Sequence, residues 1–134
     1  MKRGWSVALL AVLVVSATGC NPFEPNPDQS VELGVSKVEV PSTVTSGTSF
    51  NVVLTVQTGG CLSFDRIDVV RSETSANFTV WGKDASKGRK GVTCPEILLE
   101  EPHTYEVKPP FSGPFTVWVD RGRLSPLIQT VQVQ

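Results

Sequence analysis

One histidine and three cysteines in 134 residues leave little material for acid–base catalysis or a transition-metal site. Charge of one sign is equally scarce. Twelve Lys and Arg face thirteen Asp and Glu, a net charge of −1, so the long-range attraction expected of a nucleic-acid binder is missing. After residue 20 no stretch repeats apolar residues at i, i+3 and i+4 between capping residues, which argues against helices. The length allows one domain and excludes a multidomain enzyme. A charged fraction of 19% beside 40% hydrophobic residues is too apolar for a disordered chain.

Lys2 and Arg3 precede the apolar run Val7 to Val15, and small residues Ser16, Ala17, Thr18 and Gly19 follow it. That order reads as a secretory signal over residues 1–19. A retained transmembrane helix is the rival reading, but about sixteen apolar residues counted from Trp5 fall short of the roughly 20 that span hydrocarbon. Ala17-Thr18-Gly19-Cys20 resembles the lipobox of bacterial lipoproteins, with Ala17 standing where that family usually has Leu. The resemblance covers these first twenty residues. It implies removal of residues 1–19 and a lipidated Cys20 that holds the chain, outside the cytoplasm, to the bacterial cell membrane or outer membrane. Asn21 is not the Asp that typically retains such lipoproteins at the inner membrane, which points to the outer membrane where one exists. Ordinary cleavage, leaving Cys20 as a plain thiol, is the competing reading.

Cysteine arithmetic favours the lipid. With Cys20 so assigned, Cys61 and Cys94 remain, an even number in an oxidising compartment where pairing is the default. A bond between them closes a loop of about 34 residues, worth roughly 3.7 kcal/mol by chain entropy. A redox pair or metal ligands are the other readings, and neither a C-x-x-C spacing nor a neighbouring His supports them.

Without Lys2 and Arg3 the remaining chain carries ten basic and thirteen acidic side chains, a formal charge of −3. Residues 20–33 contain Pro22, Pro25 and Pro27 and no apolar periodicity, so they read as an extended tether of up to about 3.1 Å per residue. From Gly34 the hydrophobic period becomes two. Phe50, Val52, Leu54 and Val56 alternate with polar neighbours, as do Phe115, Val117 and Val119. Weaker alternation marks residues 36–40, 78–82, 104–107 and 127–133. Residues 62–70 are apolar but change phase, which a bulge near Asp65 and Arg66 explains. Turn residues separate the runs at 45–48, 58–60, 83–91 and 109–114.

The run from Val38 through Gly47 to Val56, and Ser112-Gly113-Pro114-Phe115-Thr116-Val117-Trp118-Val119, are similar in rhythm to the first hairpin and penultimate strand of bacterial immunoglobulin-like domains. No Trp sits between two suitably placed Cys, as an antibody-type domain requires. The expected fold over residues 34–134 is all-β, an immunoglobulin-like antiparallel β-sandwich of about seven strands with one disulfide. A small closed barrel is the alternative, since strand count does not decide closure.

Few side chains carry chemistry. His103 lies beside Glu100 and Glu101, where a general base or metal ligand can be imagined, but no nucleophile sits in an elbow-like G-x-S-x-G context, and a solvent-facing His ahead of a strand is the simpler reading. Lys83, Lys87, Arg89 and Lys90 form the one locally basic segment, able to meet anionic headgroups or simply to keep a loop solvated. Strand parity places Trp81 and Trp118 opposite the core, where exposed Trp serves recognition unless another layer covers it. Asn77-Phe78-Thr79 fits a glycosylation pattern that is incidental in a bacterial lipoprotein. The expectation is a membrane-anchored binding module of the cell envelope, not an enzyme, using no cofactor or metal. Its binding residues would be Trp81, Trp118, Lys87, Arg89 and Lys90, and its partner an envelope protein or glycan rather than nucleic acid. The alternative is an accessory or inhibitory lipoprotein that acts on an envelope enzyme through residues 83–91.

Overall fold

The computed structural model describes residues 29–134; the signal-like run, Cys20 and the Pro-rich segment as far as Asp28 lie outside the described residues. Nine strands form among those described: β1 (Ser30–Glu32), β2 (Val35–Glu39), β3 (Thr43–Val44), β4 (Phe50–Thr58), β5 (Leu62–Arg71), β6 (Ser75–Asp84), β7 (Leu99–Val107), β8 (Phe115–Arg121) and β9 (Leu124–Val133). The alternation in the sequence explains them directly. On β4, Phe50, Val52, Leu54, Val56 and Thr58 point inward and the residues between them outward. On β8, Phe115, Val117 and Val119 do the same. β-Branched Val dominates the inward set, where its stiff side chain suits a pleated surface.

The strands form two sheets. The smaller is β2-β4-β7. In the larger, β5 lies against β6, whose opposite edge is shared: β8 pairs with its first half and β1 with its second, and β9 and β3 continue beyond β8. The two inner faces enclose one core that includes Phe78, Phe115, Leu54, Val80 and Val131, all buried. Two separate sheets make a sandwich, not the closed barrel. The expected bulge is present, as a register shift between Phe64 and Arg66.

Three details depart from expectation. There are nine strands rather than about seven, because two short strands join the larger sheet on either side of the expected strand at 36–40: β1 within the segment read as tether, and β3 just before the 45–48 turn. The ladder is not wholly antiparallel: β3 pairs parallel to β9, and β6 parallel to β8. The second follows from β7, which crosses to the other sheet between them and so returns the chain in the same direction. The fold also begins at Ser30, not Gly34, since Val31 and Leu33 pack against the core.

Leu33 has a specific seat. Its N–H donates to the Val80 carbonyl at 2.9 Å, and its side chain covers Gly82 on the inner face of β6. A Cβ at residue 82 would meet Leu33 Cδ1 at 2.6 Å and also the Ser63 carbonyl oxygen. Gly82→Ala is therefore expected to cost about 1–3 kcal/mol by overpacking. The urea midpoint reads this, and an unchanged midpoint would contradict the packing.

Both sheets blunt their edges. β5 carries its bulge and the charged Arg66 and Asp68, and β7 carries Pro102, which removes a backbone donor. Strand addition by a partner is thereby discouraged at these two edges.

Candidate functional site

The outer face of the larger sheet holds both predicted tryptophans. Register aligns Val70, Asn77, Trp118 and Ile128 in one row across β5, β6, β8 and β9. Three of the four are large apolar side chains in solvent: Val70 is 77% exposed, Trp118 41% and Ile128 47%. Next along β6, the Thr79 hydroxyl donates to Asp120 Oδ2 at 3.2 Å and stiffens the face. Trp81 lies on the same side, four residues from Asn77, which is about 13 Å along the strand. Its ring is half-buried, because Arg66 Cζ sits over it at 5.5 Å, a cation–π contact held in place by Asp65 at 3.0 Å and Asp68 at 3.2 Å. Trp118 is thus the open aromatic and Trp81 the lidded one.

The basic segment is only partly free. Lys83 Nζ is 3.3 Å from Asp65, and Lys87 Nζ donates to the Ser30 carbonyl at 3.3 Å. Arg89 and Lys90 are exposed. The turn before them is built by Asp84, whose Oδ1 accepts from the Ser86 N–H at 2.9 Å and the Ser86 hydroxyl at 2.5 Å. These bonds, the hydroxyl one foremost, hold the Asp84 carboxyl below its ordinary value of 3.8. Lys83 first, then Arg66, do the same for Asp65. A depressed carboxylate stabilises the fold fully above pH 3.8 and loses that contribution as pH falls through its lower folded value. Carboxyl NMR titration is expected to show Asp65 and Asp84 ionising below 3.8; midpoints at or above it would contradict these contacts.

Cys61 and Cys94 form the expected disulfide, with Cα atoms 5.2 Å apart. It joins the β4–β5 corner to the segment between β6 and β7. Around it lie two adjoining hollows of about 460 Å³ each, both walled by Gly59, Gly60, Leu62, Pro95 and Ile97. Gly59, at φ 108°, is required here: a Cβ would collide with the Ile97 carbonyl oxygen. At the inner end of the second hollow are Thr58, 4% exposed, and His103. Thr58 Oγ1 and His103 Nε2 are both buried without a hydrogen bond. His103 Nε2 lies 3.5 Å from Glu101 Oε2, in contact but not hydrogen-bonded, and its ring stacks on Phe64 with centroids 3.7 Å apart. His103 therefore closes the open side of the sandwich between β5 and β7 instead of facing solvent ahead of a strand. Among the described residues no group of three His, Cys, Asp or Glu is placed to hold a metal.

Sequence reasoning missed two features. Val70 and Ile128, which flank Trp118, are visible only once cross-strand register is known. The other is the exposed apolar end beside the disulfide, Ile97 and Leu98 above all. Its signal was present as Ile97-Leu98-Leu99, an apolar triplet that breaks the period of two. No known protein family, curated protein or solved structure matches the chain.

Proposed function

We propose that the protein is a lipid-anchored binding module of the bacterial cell envelope, held through Cys20 and meeting an envelope protein or glycan with the outer face of its larger sheet. The observation that carries this reading is the row Val70-Asn77-Trp118-Ile128, an aromatic between two exposed aliphatic side chains on a rigid sheet. Residues of that kind dominate interface energies. The stacked, partly buried His103 gives no comparable support to a hydrolase.

Affinity capture from solubilised envelopes tests it. Trp118→Ala is expected to weaken partner retention roughly 30-fold, the effect of losing about 2 kcal/mol at an interface hot spot. Trp81→Ala, at the lidded ring, is expected to do less. Identical partner lists and retention for wild type and the Trp81→Ala/Trp118→Ala variant would discredit the face. The alternative, an accessory or inhibitory lipoprotein working through residues 83–91, draws on the pinning of that segment by Cys94 and by the Asp84 turn. It predicts instead that K87E/R89E/K90E abolishes capture while Trp118→Ala spares it.

A further inference from the structure

The exposed apolar residues are unevenly placed. Of the nine large ones among the described residues, Val70, Trp118 and Ile128 belong to the outer sheet face; the other six, Leu62, Val92, Ile97, Leu98, Leu99 and Leu124, gather at the disulfide end of the sandwich. Register fixes that end: Thr58 pairs with Leu99, Leu62 with Asp84, and Arg121 with Leu124, while Gly122 N–H donates to Glu32 at 2.7 Å. Ile97 is 55% and Leu98 68% exposed, beyond what single scattered surface residues require.

The same end carries exposed basic side chains. Asp84 and Ser86 share a hollow with Ile97 and Leu98, and Lys87, Arg89 and Lys90 follow them directly. Arg121 ends β8 and Arg123 lies in the β8–β9 turn. Acids stand at this end too: Asp84 accepts from the Ser86 hydroxyl and Glu32 from the Gly122 N–H, both remaining charged, and Glu96 and Glu100 lie in solvent. The chain also enters the fold here. Ser30 pairs with Lys83 and receives the Lys87 ammonium, and ten residues from Cys20 to Ser30 reach at most about 36 Å.

We propose that this end is a second membrane contact, Ile97 and Leu98 entering the headgroup region of an anionic bilayer while Lys87, Arg89 and Lys90 meet its phosphates. The proposal rests on the anchored reading for the membrane encounter and adds the orientation. The disulfide end faces the lipid, so the Trp118 face stands upright from the surface, open to a partner alongside. Each basic residue strengthens such a contact about fivefold, and each buried leucine-sized side chain about tenfold or more.

The test uses the acylated protein in phosphatidylglycerol/phosphatidylethanolamine vesicles containing a photoactivatable phosphatidylglycerol, with adducts mapped by peptide mass. The expected result is labelling of residues 87–99 in clear excess over residues 108–114 at the opposite end. I97E/L98E should cut it about tenfold, and K87E/R89E/K90E or phosphatidylcholine vesicles should lower it too. Because the tether alone keeps residues 87–99 near the surface, undiminished labelling of I97E/L98E would overturn the proposal. So would equal labelling of both ends. A wild-type near-ultraviolet circular dichroism spectrum and melting temperature in each variant exclude misfolding. The intact mass reports acylation of Cys20 separately, so failure of the anchor and failure of the contact are distinguished.

Discussion

Replacing Phe78 with alanine is expected to lower the unfolding free energy by about 3–5 kcal/mol, the largest loss from any single side chain discussed for this protein. Phe78 has no solvent exposure and lies on β6, which has partners on both edges. Its ring meets Tyr105 of the opposite sheet edge to face, with centroids 5.3 Å apart, so truncation opens a cavity and removes an inter-sheet aromatic contact together. Domains of this size are typically stable by about 5–15 kcal/mol, so the loss consumes a large share. Val70→Ala on the same sheet is the control. At 77% exposure it should change stability by less than about 0.5 kcal/mol. Guanidinium melts followed by tryptophan fluorescence give both numbers, and a Phe78→Ala loss under about 1 kcal/mol would contradict the assigned core.

Removing the disulfide as C61S/C94S is expected to cost roughly 3.7 kcal/mol, because the bond closes a sequence separation of 33 residues. The effect has a place as well as a size. Between β6 and β7 the backbone is held by a few bonds, Lys87 N–H to Asp84, Arg89 N–H to Ser86 and Ile97 N–H to Pro95, and Ala85 N–H reaches the Cys61 carbonyl at 2.9 Å. Freed from Cys61, residues 85–98 should exchange amide hydrogens faster than β4 or β8 do. Reductant added to the wild type should reproduce the lowered melting temperature. Equal melting temperatures with and without reductant, once both thiols are titrated, would contradict a structural role.

The strands that build the core were legible because burial imposes a period of two. Phe50 to Val56 and Phe115 to Val119 each present one apolar face, and the phase change across residues 62–70 marked the bulge at Phe64–Arg66. The same parity placed Trp81 and Trp118 on the outer face. What could not be read was everything decided between strands. The parallel pairing of β6 with β8 depends on β7 joining the other sheet, and no local pattern encodes that choice. Arg66 over Trp81 arises from register across the bulge. His103 looked solvent-facing beside two glutamates, yet its neighbour in space is Phe64, nearly forty residues away in the chain. Val31 and Leu33 were assigned to the tether because three preceding prolines mask a short strand that joins β6 only at its far end.

The most direct measurement is the intact mass of the protein purified from its native envelope. The anchored reading predicts a chain that starts at Cys20 and carries acyl groups there, with Cys61 and Cys94 oxidised to each other. A free thiol at Cys20, or residues 1–19 still attached, would contradict it.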